Sequence, residues 1–353
     1  MKRMRSNHKL AADRRAFLKA GGSIAAGLLA QPVLAANAGA AATAPSAPAM
    51  PTRNLGRTGH KVAIFSLGGQ AALERANNEA VAVQIVELAL DLGVNYIDTS
   101  SIYGGKERWS ERYIGQVMKG RRSETFLASK TKERTRDESL RRLDESLKLL
   151  ATDHLDLWQL HDIGVREDVE AVFGKGGAME ALVRARDQKI VRYLGVTGHY
   201  RPDALIEAIR RFPFDTILMA VNAADPHHFS FQEQLLPLAV ERQMGIIAMK
   251  LPARGRLLSG WTPPLLEEQQ RSWEGAVIAK TPGVLSMREA VYYSLTLPVS
   301  TVIVGCDSVE QLEQNVQLAR EFTPLSAQQM AGLAERARPV SEQGLFFRFV
   351  SRG

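Results

Sequence analysis

The chain has 353 residues, with 45 Lys or Arg against 38 Asp or Glu, and a single cysteine, Cys306. One thiol excludes an intramolecular disulfide framework, a cysteine-based zinc site and an iron–sulfur cluster, each of which needs several. Of the formal charge of +7, a net +6 falls within residues 1–35, so the remainder is near neutral at +1 and has no electrostatic footprint for nucleic acid.

Taken in chain order, residues 1–35 read as an export signal. They combine a basic head, the apolar stretch 20–30 and a small-residue exit around Val33, Leu34 and Ala35. The run Asp13-Arg14-Arg15-Ala16-Phe17-Leu18-Lys19 resembles a bacterial twin-arginine (Tat) signal. That resemblance implies export of a folded protein by the Tat machinery and a periplasmic location. A spanning helix needs roughly 20 apolar residues; this stretch is shorter and contains glycine, so no stable membrane span is expected. Residues 36–52, rich in Ala and Pro, read as a linker. One domain is expected over 53–338, with a C-terminal tail at 339–353.

Within that domain, Asn54-Leu55-Gly56-Arg57-Thr58-Gly59-His60-Lys61 reads as a small hairpin. Short apolar runs follow at 62–67, 96–99, 125–130, 155–161, 193–197, 216–222, 246–250 and 301–305. Amphipathic stretches alternate with them at 78–92, 108–119, 136–150, 177–188, 202–212, 231–243, 286–297 and 309–321. In the third of these, Leu140, Leu143, Leu147 and Leu150 recur at helical spacing with charged residues between them. Eight strands alternating with eight helices predict a parallel α/β protein, a closed (β/α)8 TIM barrel with a short N-terminal hairpin. An open dinucleotide-binding sheet would place G-x-G-x-x-G after its first strand; here that strand ends Ser66-Leu67-Gly68-Gly69-Gln70.

In a barrel of this kind the C-terminal rim carries the chemistry. Asp98, Lys130 and His161 close three successive strands, and Tyr103 follows Asp98 in its loop. Asp98 and Lys130 can pair in the barrel mouth. A nearby lysine cation is expected to lower the pKa of Tyr103 below its usual ~10. A phenol so tuned can donate a proton to a carbonyl oxygen, and His161 can hydrogen-bond and orient the same oxygen.

The segments Asn95-Tyr96-Ile97-Asp98-Thr99-Ser100-Ser101-Ile102-Tyr103-Gly104, Ala128-Ser129-Lys130-Thr131 and Leu155-Asp156-Leu157-Trp158-Gln159-Leu160-His161 resemble the signature blocks of the aldo/keto reductases. The resemblance runs from about residue 53 to 321. It implies a catalytic tetrad of Asp98, Tyr103, Lys130 and His161, with Tyr103 as general acid. It also implies reduction of a small-molecule aldehyde or ketone with a nicotinamide cofactor, NADP(H) by family habit.

The same resemblance assigns cofactor residues. Gly68 and Gly69 lie in the turn after the first strand. Thr197 and Gly198 match the block that holds the carboxamide; Leu218 stands where the family often has Gln, so Asn222 is the candidate substitute. Lys250 and Arg254 belong to the loop that embraces the pyrophosphate. Gly305, Asp307, Ser308, Gln311, Gln314 and Asn315 match the adenosine-binding strand and helix, where a helix N-terminus suits phosphate. No Arg or Lys occurs from Gly305 to Asn315. Asp307 would repel a 2′-phosphate yet could accept a hydrogen bond from a ribose hydroxyl, which keeps NAD(H) open.

Trp261 and Trp273, in the long loop after the seventh strand, are expected to shape specificity. The tail Leu345-Phe346-Phe347-Arg348-Phe349-Val350 either folds over the mouth or packs on barrel helices. Two other functions fit the same sequence. One is a dinucleotide-binding sensor or partner subunit with vestigial catalysis. The other is a non-redox barrel enzyme, such as an aldolase, using Lys130 as a Schiff base.

Overall fold

The computed structural model describes residues 49–271 and 276–350. The export-signal segment, most of the linker, Trp273 and the last three residues lie outside the described residues. Among the described residues, no helix is long and apolar enough to cross a membrane.

The hairpin forms as β1 (Thr52–Asn54) and β2 (Lys61–Ala63), antiparallel in the register Thr52↔Ala63, Arg53↔Val62 and Asn54↔Lys61. Its tip carries Leu55, fully buried together with Val62, Tyr96 and Phe126. The hairpin therefore plugs the N-terminal end of the barrel. The first apolar run is not one strand: residues 61–63 pair in the hairpin, and only β3 (Phe65–Gly68) enters the barrel. The change comes at Ile64, whose N–H donates to the Pro51 carbonyl.

Seven further strands complete a closed parallel barrel: β4 (Tyr96–Asp98), β5 (Phe126–Thr131), β6 (Leu155–Leu160), β7 (Val191–Gly198), β8 (Thr216–Ala220), β9 (Gly245–Met249) and β10 (Thr301–Val304). β10 closes the ring between β9 and β3. The fold is the expected (β/α)8 TIM barrel with an N-terminal hairpin.

The helices are α1 (Glu79–Asp91), α2 (Trp109–Arg121), α3 (Arg136–Leu149), α4 (Arg166–Phe173), α5 (Ala178–Asp187), α6 (Pro202–Arg211), α7 (Leu235–Glu241), α8 (Leu266–Arg271), α9 (Met287–Thr296), α10 (Val309–Arg320), α11 (Ala327–Ala337) and α12 (Ser341–Gly344). Of these, α4, α8, α11 and α12 are additions to the eight expected. α7 begins four residues later than the apolar pattern suggests, because 225–232 wraps around the Asp225 carboxylate instead. That carboxylate accepts from the backbone N–H groups of Phe231 and Gln232 at 3.1 Å and from Ser230 Oγ at 2.8 Å.

Strand side chains alternate between the two faces, and this separates two apolar layers. Tyr96, Ala128, Leu157, Leu218 and Ile247 fill the barrel interior; Ile97, Leu127, Trp158, Ile217 and Ala248 face the surrounding helices. The same alternation sends Asp98, Lys130 and Gln159 inward, two residues beyond Tyr96, Ala128 and Leu157.

Candidate active site

At the C-terminal end of this interior layer, Lys130 and Asp98 form an ion pair in which both side chains are almost wholly buried. Lys130 Nζ also donates to the Thr99 carbonyl at 2.7 Å, and Gln159 Nε2 approaches the other Asp98 oxygen at 3.4 Å. Lys130 Nζ sits 5.0 Å from the centre of the Tyr103 ring. Tyr103 meets His161 edge-on, with ring centroids 5.9 Å apart and planes at 85°. His161 Nδ1 lies 2.9 Å from Ser100 Oγ. Three strand ends and one loop thus bring together all four side chains expected at the rim.

Burial governs their protonation. It lowers the Lys130 pKa and raises that of Asp98, each against the attraction of its partner. It takes His161 well below its ordinary value, with the Lys130 charge adding to the effect. Tyr103 departs from expectation. Its pKa is raised well above 10 by desolvation and by the Asp98 and Glu74 carboxylates, while Arg254 pulls the other way. Lys130 is not among the groups that shift it: its Nζ donates to Asp98 and to the Thr99 carbonyl, and lies 5.0 Å from the centre of the Tyr103 ring.

Asp98 and Tyr103 line one end of a cavity of about 800 Å³. Its walls include Gly68, Gly69, Lys250, Arg254, Gly305, Asp307, Gln311, Gln314 and Asn315, all named from sequence. Thr197, Gly198, Asn222 and Ser308 are not among the lining residues. The Thr197 hydroxyl accepts from the Asp162 N–H at 2.9 Å. The Asn222 amide is held at both ends, donating to the Lys250 carbonyl and accepting from the Ala224 N–H, each at 2.9 Å. Ser308 caps α10, its hydroxyl accepting from the Gln311 N–H at 3.3 Å.

Sequence reasoning missed the opposite wall. Gln70, Glu74 and Arg75 reach from the loop after β3 toward three cofactor candidates. Lys250 Nζ donates to Gln70 Oε1 at 3.0 Å, Arg254 lies 3.6 Å from Glu74, and Arg75 pairs with Asp307 at 2.5 Å. No local motif announces these contacts, since the partners stand about 180 to 230 residues apart. Trp261 lines the same cavity against Gly255, whose φ of +93° and lack of a Cβ admit the indole; a Cβ would lie 2.4 Å from Trp261 Cδ1.

The residues present fit a nicotinamide dinucleotide. Three cations, Arg75, Lys250 and Arg254, line the cavity together with Asp307 and Gln311 at the N-terminus of the twelve-residue helix α10. Gly69 keeps the β3 turn against the Asp98 carbonyl, where a Cβ would lie only 2.5 Å from that oxygen. Among the described residues, no group of three or more His, Cys, Asp or Glu is arranged to hold a metal ion.

On the other side of the tetrad, His199 Nδ1 lies 3.0 Å from Asp162 Oδ1, and its ring is 6.5 Å from His161. The C-terminal tail comes to the mouth here: Phe347 meets His199 edge-on at 5.9 Å. The tail is fixed by a fully buried ion pair between Arg348 and Asp225, and by a 2.9 Å hydrogen bond from Arg348 to the Ala220 carbonyl at the end of β8.

The model of the aldo/keto reductase family matches residues 65–337, and the chain belongs to that family of oxidoreductases. Members act on aldehydes or sugars and use nicotinamide cofactors. The chain is 29% identical to the L-galactose dehydrogenase of Arabidopsis thaliana over 303 residues, covering 78% of this chain and 90% of that one. It is 26% identical to the uncharacterized oxidoreductase YqkF of Bacillus subtilis over 295 residues, covering 76% and 91% respectively. Among solved structures, the holo form of the aldo-keto reductase AKR11C1 from Bacillus halodurans superimposes with a TM-score of 0.65 at 26% identity, covering 82% of this chain and 96% of that one.

Proposed function

We propose that this chain is a nicotinamide-dependent reductase of small aldehydes or ketones, with Asp98, Tyr103, Lys130 and His161 as its catalytic tetrad. The observation that carries the reading is the convergence of these four side chains at the C-terminal rim of the barrel, where Asp98 and Tyr103 also line the cavity just described. When bound, the cofactor supplies the hydride. Tyr103, which keeps its proton at ordinary pH, donates it to the carbonyl oxygen as that oxygen becomes an alcohol. Lys130, pinned by Asp98, fixes the Tyr103 ring and places positive charge close to the developing oxyanion. His161 is neutral. In the tautomer whose Nδ1 accepts from the Ser100 hydroxyl, 2.9 Å away, the Nε2–H is the donor that orients the substrate oxygen.

Along the cavity, Lys250, Arg254 and the α10 N-terminus are the groups suited to the phosphates, and Gln314 and Asn315 to the adenine. NADP(H) is the cofactor favoured by family habit, with NAD(H) also open. Asn222 and Thr197 are not assigned to the carboxamide, because neither lines the cavity and both hydrogen-bond to backbone. Sugars are a reasonable substrate class to include, since relatives named for L-galactose and for D-threo-aldose at position 1 span most of this chain.

The test offers reduced nicotinamide to purified protein with a panel of aldehydes, ketones and aldoses. Oxidation of the cofactor that disappears in Tyr103→Phe supports the reductase. Tight nucleotide binding with no turnover across the panel supports the sensor or partner-subunit reading instead. Borohydride trapping of a substrate on Lys130 without any cofactor would support the aldolase reading.

We further propose, on sequence alone, that residues 1–35 direct export through the Tat machinery to the periplasm. Cell fractionation of wild type and of the double variant Arg14→Lys, Arg15→Lys tests this. Retention of the double variant in the cytoplasm is expected; unchanged export would overturn it.

A further inference from the structure

We infer that the start of α2, built around the buried Arg108–Glu111 ion pair, is the frame that positions three members of the tetrad, and that Arg108 and Glu111 are positioning residues for proton transfer from Tyr103. The inference rests on the reductase reading proposed above.

The short run from Arg108 to Glu111 touches the chain neighbours of three tetrad side chains. Ser110 Oγ lies 2.8 Å from Thr99 Oγ1, one residue beyond Asp98. Glu111 Oε1 accepts from Ser129 Oγ at 2.8 Å, one residue before Lys130. Trp109 packs on Gly104, one residue beyond Tyr103; a Cβ on that glycine would lie 2.5 Å from the Trp109 backbone nitrogen. Thr99, Ser110, Glu111 and Ser129 are wholly buried, so each of these hydrogen bonds is costly to lose.

Arg108 holds this run in place. Its buried guanidinium pairs with Glu111 and also reaches α3, donating to Glu145 at 3.0 Å and to Ser146 Oγ. Its backbone is left-handed, with φ of +54°, a conformation that a residue with a side chain adopts only where its surroundings hold it. Between Tyr103 and Arg108 the chain has little else to hold it. Gly104 and Gly105 have φ of +84° and +67°, and residues 105–107 are exposed. Arg108 is therefore the first buried anchor after the proton donor. Stability alone does not call for charges here, since well-packed apolar side chains often serve as well as a buried ion pair. Apolar side chains, however, cannot accept from Ser129 or bind the Glu145 carboxylate. Without those links Tyr103 and Lys130 can shift against each other, and a displacement of about 1 Å at a reacting group costs about a hundredfold in rate.

Steady-state kinetics of the full chain, with a carbonyl substrate that wild type turns over, separate positioning from stability. The double variant Arg108→Met, Glu111→Leu removes both charges together and is expected to melt close to wild type. Its kcat should fall by about tenfold or more, with KM for substrate and the calorimetric Kd for oxidised nicotinamide dinucleotide each within about threefold of wild type. Reduced nicotinamide deuterated at C4 should show a larger isotope effect on kcat than in wild type, because the chemical step has become slower. Ser129→Ala, which removes one hydrogen bond and leaves the ion pair in place, should lower kcat by about threefold or more with KM unchanged. Wild-type kcat in a stable double variant would overturn the frame and leave the reductase reading intact, as would a fall in kcat matched by an equal rise in KM. Should the double variant fail to fold, wild-type kcat in Ser129→Ala would overturn it. Absence of turnover by wild type across the carbonyl panel would overturn the reductase reading itself, and this inference with it.

Discussion

Lys130 stands 5.0 Å from the centre of the Tyr103 ring, yet spends its hydrogen bonds on Asp98 and on the Thr99 carbonyl. The lysine therefore steadies the ring through its face and leaves the phenol protonated. A proton donor that stays loaded at ordinary pH suits reduction. The reverse reaction, in which the phenol must give up that proton first, should need more alkaline conditions. The limb of kcat/KM for reduction assigned to Tyr103 is expected above pH ~10. A fall in reduction centred near pH 8, absent from Tyr103→Phe, would contradict the raised value.

Breaking the buried pair should cost stability more than replacing it. Lys130→Met leaves the Asp98 carboxylate buried without its cation, and a loss of about 3–5 kcal/mol is expected. The double variant Lys130→Met, Asp98→Leu should recover a large part of that loss while remaining inactive. Denaturant unfolding of the two variants measures it; equal losses would show that the pair's electrostatics contribute little to the fold.

Acid should weaken the fold through His161. Its pKa in the folded protein is depressed by burial and by the Lys130 charge, so the folded state resists a proton that the unfolded chain accepts near pH 6.5. The sign follows: this contribution is intact above about pH 6.5 and is lost as pH falls toward the depressed folded value. Melting temperatures of wild type and His161→Gln at about pH 7.5 and about pH 5 provide the check. Wild type is expected to lose more on acidification than the variant, and parallel losses would contradict the assignment.

The tail should be anchored from a single point. Arg348 and Asp225 are wholly buried, and the guanidinium lies 4.5 Å from the Phe231 ring centre. Arg348→Met leaves Asp225 with its backbone donors but without its cation, and a loss of about 3 kcal/mol or more is expected. Because Phe347 touches His199 at the mouth, the variant should also raise KM for substrate more than KM for cofactor. A change confined to stability would place the tail outside the substrate site.

Cys306 is expected to be inert in the folded protein. It is fully buried, and desolvation pushes its thiol up to about 12. A thiol reagent should modify the chain only as fast as it unfolds, with one thiol titrated in denaturant. Rapid native-state labelling would contradict the burial.

The barrel was legible because its signals are local. Period-2 alternation through Tyr96-Ile97-Asp98 and through Leu157-Trp158-Gln159 sorts inside from outside, and it places Asp98 and Lys130 in the interior before any contact is known. The extra helix α11 was legible too, had its start been weighed: Ser326 and Gln329 form the capping box that the spacing Ser-x-x-Gln announces. Other features carry no local signal. Arg122 looks like part of a solvated basic turn, but it folds back onto Asp156 at 2.8 Å, and that carboxylate also holds the Leu127 N–H. The Arg348–Asp225 pair spans 123 residues, and the second wall of the cavity joins residues 180 or more apart. Such pairings depend on where loops travel over the rim, which side-chain periodicity does not encode. The Tyr103 pKa is of the same kind: spacing places a lysine beside it, but only the geometry shows that the lysine is committed elsewhere.

Deuterium transfer tests the central claim most directly. Reduced nicotinamide labelled at C4 would be incubated with the full chain and a carbonyl substrate that supports turnover, and the alcohol analysed by mass spectrometry and NMR. The account predicts one deuterium on the former carbonyl carbon, and product formation reduced by about a hundredfold or more in Tyr103→Phe with nucleotide binding retained. Alcohol that carries no label, or undiminished turnover without the Tyr103 hydroxyl, would contradict it.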